Sequence, residues 1–310
     1  MRVEGGAVSS TQHVLAAAGR AVNRQRRPPW LAHLHGSELH WAVAFVLPYL
    51  AVLVAFAVYP ILYGFWMASD PELYLELFSE DEYWDAVVTT LFYVGIGVNF
   101  TMVMALLLSG YFMRRRWWIK ALLVLSMLPW ALPGQVAFIS FHWMLIYPGF
   151  LDALSWKVLG VDGPDWFHYY WSALGSNIAA YCWKTLPFWT VILLAGRMAI
   201  PQDLYDAADI DGATGFRRFR HLVIPLLANL YLVCTLLCTI WMLGDFNTPE
   251  IVSGGAPQGR TTVLATLGVD YLLEKGKPAL GVAVVISALP LLVPVAWLLV
   301  RRMRHAEVQL

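Results

Sequence analysis

Six long apolar runs constrain this chain more than any other feature of its sequence. They lie near residues 41–67, 86–110, 118–146, 171–196, 222–244 and 279–300 of a 310-residue chain. Each run can supply the roughly 20 apolar residues that cross about 30 Å of hydrocarbon. Because lipid offers the backbone no water, each run must satisfy its own peptide groups, and we predict an all-α protein with six transmembrane helices. The composition agrees, since 59% of the residues are hydrophobic and only 14% are charged.

The basic residues are sorted along the chain, and the sorting predicts the orientation of the helices. Of 21 Lys and Arg residues, five precede the first run, four lie at 114–120, four at 197–220 and three after residue 300. The loops on the other side hold four. Because Lys and Arg accumulate on the cytoplasmic side, we predict that both termini and the 197–221 loop are cytoplasmic. Residues 1–36 are small, polar and basic, and we expect them to form a flexible cytoplasmic tail before the transmembrane domain at 37–310.

A densely charged segment at 200–225 interrupts the apolar pattern between the fourth and fifth runs. Pro201 suits the first position of a helix, acidic residues follow it, and Gly212 is suited to end that helix. Thr214 then offers an N-cap for a second helix. Three residues share one face of the first helix at helical spacing: Leu204, Ala207 and Ala208. We therefore predict a helical hairpin at 200–222 whose small residues let another protein approach closely.

Proline and lysine interrupt the apolar runs where a transport path could form. The third run carries Pro129 and Pro133, and such breaks line substrate paths in transporters, although proline is also common in membrane helices generally. Lys184 lies about midway along the fourth run. A charge at that depth is costly unless it faces protein or water, so Lys184 either contacts substrate or donates to carbonyl groups that Pro187 frees. His142 is interpreted as a hydrogen-bonded interior histidine.

Two groups of potential metal ligands receive a structural interpretation. Asp162, Asp165 and His168 follow the third run, but no second His or Cys lies nearby at ligand spacing, so a metal or catalytic site there is disfavoured. The three cysteines fall in apolar runs and are interpreted as small packing residues: Cys182, Cys234 and Cys238. We predict no catalytic residue and no metal site. The sequence has no G-x-x-x-x-G-K-[ST] loop, so we do not expect the chain itself to hydrolyse ATP.

The segment after the fifth run is rich in glycine and proline. The residues concerned are Gly254, Gly255, Pro257 and Gly259. This composition predicts a flexible loop, which the charge pattern places on the external side. Thr261 and Thr262 are suited to cap the helix that follows.

Residues 204–225 resemble the cytoplasmic EAA loop of bacterial ABC importer permeases, whose pattern is E-A-A-x-x-x-G followed by I-x-L-P. Here E-A-A corresponds to Asp206, Ala207 and Ala208, and the D-G-A of the sugar branch to Asp211, Gly212 and Ala213. Residues 246–262 resemble the family's glycine-rich F-x-x-x-x-x-L-T-G-G-G-P loop. On these motifs the chain is identified as a member of the carbohydrate permease family, of the maltose and glycerol-phosphate type. It resembles the first of the two permease subunits. Asp206 replaces the usual Glu and is one methylene shorter, which would weaken or move a polar contact there.

The resemblance implies the ABC importer permease fold and an importer assembled from several chains. This chain would pair with a second permease, with two ABC ATPase subunits that use ATP and Mg, and with an external substrate-binding protein. It would bind no cofactor and no nucleic acid itself, and it would lie among the lipids of the bacterial cytoplasmic (inner) membrane. The residues implied in ATPase coupling are Leu204, Asp206, Ala207, Ala208, Asp211, Gly212, Ala213 and Phe219. The expected substrate path comprises Trp183, Lys184, Trp241 and Asn247, and the external loop comprises Gly254, Gly255 and Pro257.

Two other classes of membrane protein are weighed against this interpretation. A self-sufficient secondary transporter or channel would normally show inverted repeats and often a carboxylate at mid-membrane, and we find no convincing internal repeat. A membrane transferase acting on lipid-linked sugars would need a catalytic constellation beyond Asp162, Asp165 and His168. The carried solute stays open at this point among a sugar, a polyol and a glycerol phosphodiester.

Overall fold

The computed structural model describes residues 37–114 and 116–307 of the chain. The predicted tail at 1–36 lies outside the described residues. Within them every regular element is helical, as predicted. The α-helices are α1 Ser37–Leu53, α2 Tyr59–Met67, α3 Pro71–Ser79, α4 Asp81–Phe112, α5 Trp117–Ser126, α6 Leu128–Ala131, α7 Gly134–Leu145, α8 Phe150–Leu159, α9 Tyr170–Met198, α10 Gln202–Ile210, α11 Gly215–Arg218, α12 Ile224–Leu243, α13 Asn247–Val252, α14 Leu264–Leu273, α15 Pro278–Ile286 and α16 Leu289–Glu307. Two π-helical turns occupy Val54–Val58 and Phe219–Val223.

Five helical segments of the described chain are long and apolar enough to cross a membrane. They are Trp41–Met67, Asp81–Phe112, Tyr170–Met198, Gly215–Leu243 and Pro278–Met303. Each overlaps a predicted run. The run at 118–146 is broken at its prolines, where Trp117–Ala131 and Gly134–Leu145 meet at an angle of 95°. By length and composition the described chain has six spans if this bent pair crosses as one span.

The break in the third span has a local cause at Leu132 and Pro133. Leu132 is extended, with a ψ of 143°, and Pro133 is also non-helical, with a ψ of 136°. A residue before proline is disfavoured in the helical region, and proline has no N–H to donate to the carbonyl group four residues earlier. The carbonyl group of Pro129 therefore needs another donor.

The described residues 37–63 belong to a unit of their own. In this unit the π turn at Val54–Val58 lies just before Pro60. Such local changes of helical register accommodate the missing N–H of a proline. The most apolar stretch of Trp41–Met67 has no buried side chain. Its apolar surface is therefore available to lipid or to another chain.

The main core of residues 64–310 lies between α4, α9 and α12. Its largest fully buried side chains include Tyr93 and Met102 of α4 and Trp189 of α9. All three cysteines are buried and free, and Thr101 Oγ1 donates to Cys182 Sγ at 3.1 Å. The prediction that these cysteines are packing residues is confirmed.

Two smaller clusters complete the packing of this unit. Leu77 of α3 packs with residues of α14 and α15, among them Leu267 and Val284. A third cluster joins α7, α9 and α13. Beside it the half-buried ring of His142 is hydrogen-bonded through Nδ1 to the Val252 carbonyl oxygen at 2.9 Å. The interpretation of His142 as a satisfied interior histidine is confirmed.

Candidate functional site

The predicted hairpin forms, and glycine closes its first helix. α10 begins at Gln202, so Pro201 lies one residue before the first helical position that we predicted for it. Gly212 has a φ of 69°. Its N–H donates to Asp209 O at 3.1 Å, and the N–H of Ala213 donates to Ala208 O at 2.8 Å. This pair of bonds is the Schellman motif, which needs a residue that tolerates the left-handed region. Thr214 is the N-cap of α11, as predicted, although its side chain makes no capping hydrogen bond.

A buried arginine anchors the base of the hairpin. Arg197, in the last turn of α9, is 7% exposed. Its Nε donates to Ser109 Oγ at 2.8 Å and its Nη2 donates to the Leu106 carbonyl oxygen at 2.8 Å. The guanidinium carbon lies 5.3 Å from the centre of the Phe219 ring. Phe219 thus packs at the base of the hairpin, whereas we had grouped it with residues expected to meet a partner.

The tip of the hairpin faces away from the rest of the described chain. The predicted coupling residues that are exposed are Leu204, Asp206, Ala207, Asp211 and Gly212, and those that are half-buried are Ala208, Ala213 and Phe219. Sequence reasoning missed Ile210 and Phe216, which are 87% and 73% exposed. Ile210 follows Ala207 by three residues, so helical spacing could have revealed it. The Asp206 carboxylate accepts a hydrogen bond from Gln202 Nε2 at 2.9 Å.

Lys184 reaches the break in the third span. Its Nζ donates to the carbonyl oxygens of Leu132 at 2.7 Å and Pro129 at 3.3 Å. The Pro129 carbonyl group is the one that Pro133 leaves without a backbone donor. Of the two roles that we considered for Lys184, the structural one holds in this form, but with a different partner. The carbonyl groups belong to the third span and are not those freed by Pro187.

Aromatic rings stack beside this break. Trp130 of α6 lies 4.5 Å from Phe188 of α9 and 6.1 Å from Trp241 of α12, measured between ring centroids, with interplanar angles of 21° and 8°. Trp241 was predicted for the substrate path, and it lies here. Sequence reasoning missed Trp130 and Phe188. Phe188 follows Lys184 by one helical turn, which is the signal that could have indicated it.

The other two predicted path residues are not part of this aromatic stack, although Trp183 lines a cavity together with Pro129. The ring of Trp183 packs edge-on against Phe141, with centroids 5.1 Å apart. Asn247 is exposed and is the first residue of α13. Of the four predicted residues, Lys184 binds the segment that carries Trp130, and Trp241 stacks on Trp130 itself.

A half-buried carboxylate, that of Asp245, lies between α12 and α13. Asp245 Oδ2 accepts a hydrogen bond from the Tyr93 hydroxyl group at 2.7 Å, and its Oδ1 accepts one from the Thr248 N–H at 3.2 Å. Burial raises the pKa of the Asp245 carboxyl group, and the two hydrogen bonds work in the opposite direction. Asp245 thus joins the middle of α4 to the first turn of α13, a link that sequence reasoning missed.

The glycine-rich loop is tied down, contrary to the prediction of a flexible segment. Gly254, Gly255 and Gly259 all have positive φ. Thr261 Oγ1 donates to Ala256 O at 2.6 Å and lies 3.1 Å from Ser253 Oγ, which accepts a hydrogen bond from Asn177 Nδ2 at 2.9 Å. Hydrogen bonds among the side chains of Asn177, Ser253 and Thr261 hold the loop in place, although Asn177 Oδ1 accepts none from the described residues. The capping prediction is also wrong. The first N–H of α14, that of Leu264, donates to Thr90 Oγ1 at 2.9 Å, and neither Thr261 nor Thr262 caps the helix.

The group of Asp162, Asp165 and His168, considered above as potential metal ligands, makes local contacts. Asp165 Oδ1 accepts a hydrogen bond from the Phe167 N–H at 3.1 Å, and the His168 ring lies edge-on to Tyr169. In the described part of the chain, no group of three or more His, Cys, Asp or Glu side chains is arranged to hold a metal ion.

Known proteins resemble this chain over most of its length. The family described as "Binding-protein-dependent transport system inner membrane component" matches residues 97–305. The trehalose/maltose transport system permease protein MalF of Thermococcus litoralis is 32% identical over 241 residues, which are 73% of this chain and 81% of that protein. The trehalose transport system permease protein SugA of Mycobacterium tuberculosis is 27% identical over 263 residues, covering 80% and 83%. The crystal structure of a bacterial ABC transporter involved in the import of the acidic polysaccharide alginate contains a chain with the same fold, with a TM-score of 0.73, 19% identity and coverage of 90% of this chain and 99% of that chain.

The helical spans, the hairpin and these similarities define a multi-pass membrane transport subunit that is not itself an enzyme. The chain belongs to the family of binding-protein-dependent transport system inner membrane components. Its transport therefore depends on a substrate-binding protein. The family assignment argues against the self-sufficient secondary transporter and the membrane transferase.

Proposed function

We propose that this chain is a permease subunit of an ATP-driven importer for a sugar or sugar-like solute, and that its hairpin docks on a cytoplasmic ATPase subunit. The observation that carries the proposal is the exposure of Ile210 and Phe216 on the two sides of the Gly212 turn. Two large apolar side chains on a charged cytoplasmic segment favour a protein partner that covers them. ATP and Mg belong to the partner, because this sequence has no nucleotide-binding loop.

The remaining partners and the orientation follow from the same proposal. The chain lies in the bacterial cytoplasmic membrane, with its hairpin and termini in the cytoplasm and its glycine-rich loop outside. A second permease supplies the other half of the path, two ATPase subunits bind below, and the binding protein delivers solute from outside. The support for this arrangement is the concentration of Lys and Arg at 114–120, at 197–220 and after residue 300.

Movement of the hairpin reaches the spans through Arg197. Closure of the ATPase pair pushes the hairpin, and the permeases rock between inward-open and outward-open forms. The bonds from Arg197 to Ser109 and Leu106 attach the hairpin base to α4. A rigid contact at the base lets a push at Gly212 displace α4 and α9 together.

The solute passes beside the broken third span. The exposed part of Trp241, in its stack with Trp130 and Phe188, suits the apolar face of a pyranose ring. Lys184 fixes the break beside Trp130. Two similar proteins are named for trehalose, and one of them also for maltose, which supports a sugar as the solute. Asn247 and Trp183 line other parts of the path.

The test compares two glycines with the same backbone conformation. Gly212 and Gly160 both have a φ of 69°, and a Cβ on either would meet no atom within 4 Å. Gly212→Leu, in the hairpin, and Gly160→Leu, directly after α8, therefore introduce the same backbone strain. Each variant is produced with the partner subunits of the importer, and uptake of labelled trehalose and maltose is measured together with membrane abundance.

We expect Gly212→Leu to abolish uptake of the transported sugar, while Gly160→Leu retains at least about half, because only the first blocks a docking surface. Binding of sugar to the isolated binding protein should be unchanged. Normal uptake by Gly212→Leu at normal abundance would contradict the docking role. If the wild-type importer took up neither sugar, the proposed substrate class would be contradicted. Docking would then be tested by whether the ATPase subunit co-purifies with Gly212→Leu as it does with the wild type.

A further inference from the structure

A cationic cavity lies where the hairpin base meets the end of α4. Its volume is about 310 Å³. Its lining includes Gly110, Met113, Arg197, Tyr205, Arg218 and Phe219. Met113 is 37% exposed, so the cavity has a rim at the protein surface. Two arginines, a phenol and the Gln202 amide make its polar wall rich in hydrogen-bond donors.

The buried arginine in this wall has no negative partner in the described part of the chain. The three ion pairs found there are Arg218–Asp209, Lys275–Glu82 and Lys277–Glu76. Arg197 uses Nε and Nη2 on neutral oxygens, and its Nη1 has no acceptor among the described residues. Nη1 lies beside Gly110, 3.1 Å from where a Cβ would stand. A buried charge without a counter-ion is costly, so the cavity favours an anion.

An exposed apolar stripe on α4 leads to the cavity. Phe100, Val103 and Leu107 are spaced by three and four residues, and Gly110 follows by three, so all four share one helix face. The three side chains are each about half exposed. This face belongs to a helix long and apolar enough to span a membrane. An apolar track that ends in a cationic cavity has the shape of an amphiphile with an anionic head.

We propose that the cavity binds the phosphate group of an anionic phospholipid, whose acyl chain lies along Phe100, Val103 and Leu107. Arg197 Nη1 and Arg218 donate to the phosphate oxygens, a charge-assisted contact that guanidinium groups make well. Basic pockets at the end of membrane helices are known sites for such headgroups. The lipid would then brace the joint between the hairpin and α4. This binding is independent of the sugar that the protein transports.

The experiment counts bound lipids on the transporter purified from its native membrane with its own subunits. The preparation is exchanged into phosphatidylglycerol or phosphatidylcholine, and native mass spectrometry records the lipids retained. Arg197→Gln removes the buried charge. Met113→Trp fills the cavity without changing any charge. Arg217→Gln is the matched control, because Arg217 is exposed and does not line the cavity.

We expect the wild type and Arg217→Gln to retain one more phosphatidylglycerol per copy than either cavity variant, with retention weakened at least about tenfold in both. Phosphatidylcholine should show no such difference. If Arg197→Gln does not fold, Met113→Trp decides the question. The proposal would be overturned if all four proteins retained the same number of phosphatidylglycerol molecules, or if Arg217→Gln lost as many as the cavity variants.

Two further measurements distinguish a lipid phosphate from free phosphate and from a carboxylate of a partner subunit. Excess inorganic phosphate should not displace the lipid, and displacement with phosphate left in its place would overturn the assignment to lipid. Retention that appears only after the partner subunits are stripped away would overturn it as well, because a carboxylate of the partner would then fill the cavity in the assembled transporter.

Discussion

Two glycine turns of this chain have similar backbones and opposite surroundings. Gly212, in the hairpin, has a φ of 69°, and Gly255, in the glycine-rich loop, has a φ of 74°. A Cβ on Gly255 would lie 2.9 Å from Thr262 Oγ1 and 3.4 Å from Gly259 Cα. A Cβ on Gly212 would meet no atom within 4 Å. Contacts within the chain therefore require a residue without a side chain at Gly255. At Gly212 they leave room for a side chain, and only the backbone conformation favours glycine.

The two turns therefore differ in what stabilises them: the glycine-rich loop by contacts within the chain, and the hairpin tip by the proposed partner. The glycine-rich loop is held by buried hydroxyl and amide groups of Asn177, Ser253 and Thr261. The hairpin tip instead presents Ile210 and Phe216 to its surroundings. Substitutions in the loop should act on folding, whereas substitutions at the hairpin tip should act on coupling.

The largest expected contrast is between the same substitution at the two turns. Gly255→Leu adds steric overlap of about 1–3 kcal/mol to the roughly 1–2 kcal/mol of left-handed strain that both positions share. We expect most of the folded protein to be lost in Gly255→Leu and most of it to be kept in Gly212→Leu. Size-exclusion chromatography of the detergent-solubilised protein measures the folded fraction. Equal losses in the two variants would remove the distinction between the turns.

A second contrast is between Lys184 and Arg218. Lys184→Met leaves the carbonyl groups of Pro129 and Leu132 without their side-chain donor, at a cost of about 1–3 kcal/mol for the two together. Arg218→Met breaks an ion pair whose side chains are 34% and 51% exposed, a contact worth about 0–1 kcal/mol. The thermal unfolding midpoint should fall clearly in Lys184→Met and little in Arg218→Met. Lys184→Arg should restore part of the loss, and no loss in Lys184→Met would show that water satisfies the break.

The smallest expected effect concerns the ion pair between Lys277 and Glu76. The hydrogen bond to Glu76 and the charge of its carboxylate raise the pKa of Lys277 above 10.5. A raised folded-state pKa means that the stabilisation is fully present below 10.5 and is lost as the pH rises through the folded-state value. Because Lys277 is exposed, Lys277→Met should lower the midpoint only slightly, by the same amount at about pH 6 and about pH 9. If the difference in midpoint between Lys277→Met and the wild type changed between about pH 6 and about pH 9, the upward direction assigned to the pKa of Lys277 would be contradicted.

The helices were predictable because their cause is local. Long apolar runs must be helical in lipid wherever they pack, and the Schellman turn at Gly212 depends on a few consecutive residues. The break of the third span was only partly predictable. Pro133 removes one hydrogen bond, but the donor that replaces it, Lys184, is 52 residues from Leu132 along the chain.

The parts of the site that escaped prediction depend on packing between distant helices. The stack of Trp130, Phe188 and Trp241 joins three segments, and no spacing within one segment reveals it. The same holds for Tyr93 and Asp245, which are 152 residues apart. The order of the glycine-rich loop also depends on Asn177, a residue of another helix.

The central claim is that the hairpin tip contacts the ATPase, and cysteine cross-linking tests it most directly. Ile210→Cys places a thiol at the tip, and Leu159→Cys places a similarly exposed thiol on α8. The three native cysteines are buried, which keeps their background reaction low. With a short bifunctional reagent on the assembled importer, we predict that Ile210→Cys cross-links to the ATPase subunit and Leu159→Cys does not. A cross-link from Leu159→Cys to the ATPase, or none from Ile210→Cys in an importer that retains its ATPase, would contradict the account.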